Sequence, residues 1–217
     1  MQQTWLIRQE GNRRLVLYIL GWASTPNAVH HITPPPGYDV LAVYNYTDIE
    51  ALHAADFDSY DRIYLFAWSF GVWVAERIAA GLPLYRAVAL NGTPYPVDDK
   101  RGMRLRVVLR TMQGLARVGM NPFNEKAYGG VRYIPEGPYP DRSIEDKITE
   151  LTFLAERSKE DSAEILHWDA AYIGTKDEIF PPDKMRTHWH SVGLGTEFES
   201  YHYPFADPDI VLRHLGD

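Results

Sequence analysis

The chain has 217 residues, 45% hydrophobic and 24% charged, with 16 glycines, 15 prolines and a net charge of −7, which describes one ordinary globular domain able to bury roughly 70% of its unfolded surface. The absence of cysteine excludes disulfides, thiolate metal sites and cysteine nucleophiles, and the acidic balance argues against a nucleic-acid partner. The longest apolar run, 15–23, is too short to span a bilayer and the first residues lack the features of a secretory signal, so a cytoplasmic protein with no membrane association is expected.

Taken in chain order, β-branched and aromatic runs predict strands over 5–9, 14–20, 39–44, 62–67, 86–90, 170–173 and 197–201. Helical periodicity predicts helices over 49–54, 70–80, 183–191 and 208–215. Such alternation implies an α/β fold with a mostly parallel central sheet flanked by helices. The first two strands, joined at Gly11-Asn12, read as an antiparallel hairpin at a sheet edge. From about 94 to 167 the alternation breaks: helical patterns fill 104–118 and 144–158, with a Gly/Pro/Tyr-rich link over 128–140. About 70 residues is too long for an ordinary connection, so 94–167 is expected to be a helical lid insertion in a single domain. Charge is uneven here. Eight basic residues and one acidic residue, Glu125, lie between Lys100 and Arg132, and a net −7 less this +7 leaves −14 on the rest.

A buried-strand run ends at Ala67, a small-residue turn holds Ser69, and a helical pattern starts at Phe70. This order is the context of a nucleophile elbow, whose strained turn brings the flanking backbone against neighbouring strands and so demands small residues two before and two after the serine. Ala67 and Gly71 occupy those positions, giving A-x-S-x-G where G-x-S-x-G is usual. A serine hydroxyl needs a base, and the base an orienting acid, in chain order serine, acid, histidine for this architecture. Asp177 follows the strand at 170–173 after Gly174 turns the chain off the sheet, and His202 follows the last strand. Each residue alone is more often a turn, surface or core residue, but their order and strand-end positions predict a catalytic triad of Ser69, Asp177 and His202. An oxyanion hole would draw one backbone N–H from Phe70 and a second from Trp22, in the loop after the strand at 14–20. His188 and His190 lie two apart in a helical pattern and do not share a face. His30, His31, His53, His167 and His214 have no acid or serine partner by position, so no metal site is expected.

Five segments are familiar together: Gly21-Trp22; Ala67-Trp68-Ser69-Phe70-Gly71-Val72-Trp73-Val74-Ala75; Asn91-Gly92-Thr93-Pro94-Tyr95-Pro96-Val97-Asp98-Asp99; Gly174-Thr175-Lys176-Asp177-Glu178-Ile179-Phe180-Pro181; and His202-Tyr203-Pro204-Phe205. Through them the chain resembles the BioG-type pimeloyl-[acyl-carrier-protein] methyl ester esterases of the α/β-hydrolase superfamily. Asn91 to Pro96 is the most particular of these marks, whereas 100–167 carries no matching signature. The resemblance implies an α/β-hydrolase fold and a step of biotin synthesis: hydrolysis of the methyl ester of pimeloyl carried on acyl carrier protein, releasing methanol. It implies Ser69 as nucleophile, His202 as base and Asp177 as orienter, with no cofactor.

The charge pattern points to the same partner. In the helix predicted from 104, Leu105, Val108, Leu109, Met112 and Leu115 fall on one face, and Arg106, Arg110, Gln113 and Arg117 on the other. A cationic stripe on an acidic protein suits an anionic partner such as an acyl carrier protein, so Arg106, Arg110 and Arg117 are expected to bind it; the alternative is a solvated helix face. Another serine hydrolase, such as a short-chain carboxylesterase or acyl-carrier-protein thioesterase, and a noncatalytic binding protein of the same fold are the competing readings.

Overall fold

Seven strands, β1 (Gln2–Ile7), β2 (Arg14–Ile19), β3 (Tyr38–Tyr44), β4 (Arg62–Trp68), β5 (Leu84–Leu90), β6 (Ala170–Gly174) and β7 (Thr196–Phe198), form one sheet in the order β1-β3-β2-β4-β5-β6-β7. The computed structural model describes residues 1–130 and 134–216, so Arg132 of the basic stretch lies outside the described residues. Every pairing is parallel except β1 with β3. The central strands β2 and β4 are near-continuous apolar runs because packing covers both faces of a parallel sheet. Leu15, Leu17 and Ile19 enter the core on one side, while Val16, Tyr18 and Leu20 enter the core on the other.

The expected hairpin is not formed. β1 pairs antiparallel with β3, and β3 lies between β1 and β2. The turn at Gly11 and Asn12 does exist, but it is fastened to the start of β3: the Gln9 N–H and the Asn12 side-chain amide both donate to Asp39, at 2.9 and 2.7 Å. Two causes act together. β2 is buried on both faces and needs a parallel neighbour on each side, whereas the partly exposed β1 suits an edge. The connection over 8–13 is also long enough to carry β1 past β3.

Six helices complete the described fold: α1 (Phe70–Ile78), α2 (Leu105–Val118), α3 (Asn121–Tyr128), α4 (Ile144–Glu160), α5 (Pro182–Trp189) and α6 (Asp209–Leu212). No helix forms over 49–54, where only a 3-10 turn at Ala54–Phe57 follows, and α6 is shorter than its predicted span. Helix α3 was not among the predicted helices; its Pro122 sits in the first turn, where the missing N–H costs nothing. Helix α4 starts at Ser143, whose hydroxyl accepts the Asp146 N–H at 3.1 Å, with Glu145 and Asp146 favourably placed near the positive end of the helix. No helix among the described residues is long and apolar enough to cross a membrane.

Helices α2, α3 and α4 all lie between β5 and β6 in the chain, and α2 packs against α4. Only Val108 and Leu115 of α2 are buried. Leu109, predicted on the packed face, is instead 45% exposed, because α2 rests on the protein along a narrow stripe.

Candidate active site

The parallel strands end together at one edge of the sheet, and the loops leaving β2, β4, β5, β6 and β7 meet there. Ser69 follows the last residue of β4 and precedes α1. Its backbone has φ 58° and ψ −126°, a strained conformation of the kind concentrated at functional sites. Close packing around the turn explains the small-residue rule. A Cβ at Gly71 would overlap the Ile19 carbonyl oxygen, and one at Gly92 would overlap that of Ser69. Ala67 is fully buried within β4, so this alanine is accommodated where glycine is usual.

Ser69, His202 and Asp177 come together although 133 residues separate the first two. The His202 Nε2 lies 2.9 Å from Ser69 Oγ, and its Nδ1 lies 2.7 Å from Asp177 Oδ2. All three side chains are buried. The second Asp177 oxygen accepts the Ile179 and Phe180 N–H groups, each at 2.8 Å, which fixes the carboxylate plane. With Nδ1 donating to Asp177, Nε2 is left to accept from the serine hydroxyl.

The sequence reading assigned no role at the site to the side chains that align this chain of hydrogen bonds. Asn91, at φ 46° beyond β5, accepts the Gly174 N–H at 2.6 Å and donates to the carbonyls of Tyr201 and His202, both at 2.9 Å. It thereby ties the loop bearing Asp177 to the loop bearing His202. The Trp68 indole donates to the same His202 carbonyl at 2.8 Å. An asparagine after a strand is a legible signal for a left-handed turn, but its partners 83 to 111 residues away are not.

Trp22 and Phe70, the residues expected to form the oxyanion hole, line the same cavity as Ser69. The Phe70 N–H opens α1 and has no acceptor inside the helix. The Trp22 N–H has no acceptor among the described residues. The Trp22 indole donates to the Lys147 carbonyl at 2.7 Å and meets the ring of Phe123 edge-on at 4.9 Å.

The cavity measures about 830 Å³ and is walled by both regions of the molecule. Gly21, Trp22, Ser69, Phe70 and His202 come from the sheet end, whereas Val107, Leu115, Phe123, Tyr128 and Leu151 come from α2–α4. Arg106, Arg110 and Lys126 also line it, but Arg117 does not. All three arginines of the stripe are exposed, and none makes an ion pair among the described residues.

This sheet order, with a serine elbow between a strand and a helix and a histidine and acid on later loops, defines an α/β-hydrolase. More narrowly, the chain belongs to the family of pimeloyl-ACP methyl esterases BioG, whose model matches residues 1–209. The crystal structure of BioG from Haemophilus influenzae superimposes with a TM-score of 0.86 at 32% identity, covering 95% of each chain. A malonyl-[acyl-carrier protein] O-methyltransferase of Bacteroides fragilis is 30% identical over 213 residues; the match takes in 94% of this chain and only 42% of that longer protein. An esterase from Exiguobacterium antarcticum shares the fold at 15% identity, with a TM-score of 0.66 over 94% of this chain and 89% of its own.

Proposed function

We propose that this chain is a serine carboxylesterase that hydrolyses the methyl ester of a pimeloyl group carried on acyl carrier protein, as a cytoplasmic step of biotin synthesis. The observation that carries the reading is the hydrogen-bonded sequence Ser69–His202–Asp177 opening on a cavity roofed by α2–α4. Ser69 Oγ attacks the ester carbonyl while His202 Nε2 takes its proton, and the tetrahedral oxyanion is held by the N–H groups of Trp22 and Phe70. The C–O bond to the methoxy group then breaks, and His202 returns the proton to the departing methanol. Water repeats the sequence on the acyl-enzyme and leaves the free carboxylate. Asp177 keeps the imidazole in the required tautomer and stabilises its charged form. No step needs a cofactor.

Family membership supports the substrate. So does the relative named as a malonyl-[acyl-carrier protein] O-methyltransferase, since a methyl ester on a carrier-bound diacid is the bond this reaction breaks. We read α2–α4 as a lid over the site and Arg106, Arg110 and Arg117 as contacts for the acidic carrier, and the lack of an ion pair for these arginines among the described residues supports that role.

The test is incubation with the carrier-bound methyl ester, followed by mass analysis. Methanol release with the thioester intact is the expected result, and release of the thiol would make the protein a thioesterase. Ser69→Ala should fold normally and lower turnover about 10⁶-fold. Near-normal hydrolysis by the folded variant would remove Ser69 from the mechanism.

A further inference from the structure

Glu150 lies on the face of α4 that also carries Leu151 and Leu154, and it is completely buried. A carboxylate there is costly unless each oxygen is satisfied, and replacing a buried ion pair by apolar residues is often neutral or stabilising. The partners of this carboxylate are informative. Its Oε1 accepts the Tyr46 N–H at 2.9 Å, and its Oε2 accepts the Ala23 N–H at 3.0 Å and an Arg142 Nη1–H at 2.7 Å. Arg142 in turn reaches Asp146 and Asn45.

Ala23 is the residue after Trp22, and it sits at φ 63°, a conformation uncommon for a residue with a side chain. Its N–H belongs to the peptide that leaves Trp22, so the bond to Glu150 fixes the plane of that peptide. One turn earlier in α4, the Lys147 carbonyl holds the Trp22 indole. A single helix of the inserted region therefore grips both the side chain and the following peptide of the residue proposed to supply the second oxyanion N–H.

From this geometry we infer that Glu150 is the positioning residue of the oxyanion loop: its carboxylate sets the orientation of the Trp22–Ala23 peptide and thereby aims the Trp22 N–H at the reacting carbonyl. The inference rests on the proposed triad and oxyanion hole. It makes turnover depend on how α4 is seated against the sheet. Burial raises the Glu150 carboxyl above its ordinary range while Arg142 and the two backbone N–H groups oppose that rise.

The experiment measures kcat and KM on a small soluble ester, with kcat expressed per Ser69 labelled by an active-site fluorophosphonate. Glu150→Gln keeps one carbonyl oxygen in place. The double variant Glu150→Met with Arg142→Leu removes both charges without leaving either unpaired. The double variant should lose about 30-fold in kcat per labelled serine with KM within about twofold, because a donor displaced by about 1 Å forfeits much of its transition-state stabilisation. Glu150→Gln should lose less. A purely structural role would lower the labelled fraction and leave kcat per label unchanged in both variants, and that result overturns the inference alone. A parent protein that hydrolyses the ester but is never labelled on Ser69 overturns the triad reading, and this inference with it.

Discussion

The sheet end and the α2–α4 region contribute opposite walls of one cavity and are built by different rules. At the sheet end, β2, β4 and β5 are buried on both faces where they approach the site, and each group of the proposed triad sits one short loop beyond a strand. On the helical side packing is sparse in α2 and α3: α2 buries only two side chains in fourteen residues and α3 one in eight. Such regions open at lower free energy than a core sheet. Two buried carboxylates fasten the sparse region to the dense one. Glu76 of α1 accepts the Ile165 and Leu166 N–H groups and the Trp168 indole, where the chain returns to the sheet. Glu150 of α4 accepts the Ala23 and Tyr46 N–H groups at the other end. The difference teaches that alignment of the buried polar groups rests on the rigid part, with hydrogen-bonded clamps joining the looser part to it; under the proposed function the looser part is the side that meets a large substrate.

If that division holds, substitutions on the two sides must fail differently. The largest of the effects at issue belongs to the sheet end: Asp177→Asn should lower turnover about 10⁴-fold on every ester, with little change in KM or melting temperature, because the imidazole loses its orienting acceptor. A loss confined to the carrier-bound ester would break the comparison. On the helical side, Arg106→Glu with Arg110→Glu should raise KM for the carrier-bound ester about tenfold and spare a small soluble ester. Raising ionic strength toward 1 M, where the Debye length is about 3 Å, should reproduce that selectivity in the parent protein. Equal losses on both substrates would instead mean that these side chains shape the cavity.

The smallest effect lies remote from the site and touches stability alone. Burial and the charges of Arg86 and Arg213 hold the His214 imidazole down to about 4, from an ordinary 6.5. Between those values the unfolded chain binds a proton that the folded one does not, so this contribution to stability is complete above 6.5 and is lost as pH falls toward about 4. Thermal melts of His214→Gln should therefore lose less stability on acidification than the parent, with turnover at neutral pH unchanged. Parallel pH profiles of melting temperature would show that His214 carries no such load.

Much of this was legible because it is local. The run from Ile63 to Ala67 must be a buried strand, Gly71 is required by backbone contact two residues past the serine, and the patterns of α2 and α4 repeat at helical spacing. Family-typical segments at Asn91, Gly174 and His202 marked the loops that meet. What the pattern concealed were residues whose local role and tertiary role differ. Glu150 and Lys147 look like ordinary polar positions of an amphipathic helix, yet both are buried. A charged residue on the same face as Leu151 and Leu154 was the available signal. Gly11 and Asn12 do form a turn, but the turn's partner is Asp39 rather than the next strand.

The sequence by itself determined the alternation of strands and helices, the serine turn, the order of serine, acid and histidine, and the concentration of positive charge between Lys100 and Arg132. These follow from side-chain periodicity, backbone sterics and composition, which act over a few residues at a time. The tertiary structure alone decided that β3 intervenes between β1 and β2, that Asn91 links the acid loop to the histidine loop, and that a helix carboxylate more than 120 residues from Ala23 holds the peptide after Trp22. Those choices were settled by burial on both faces of the sheet and by the need of buried polar groups to find partners, and neither can be evaluated before the distant segments meet.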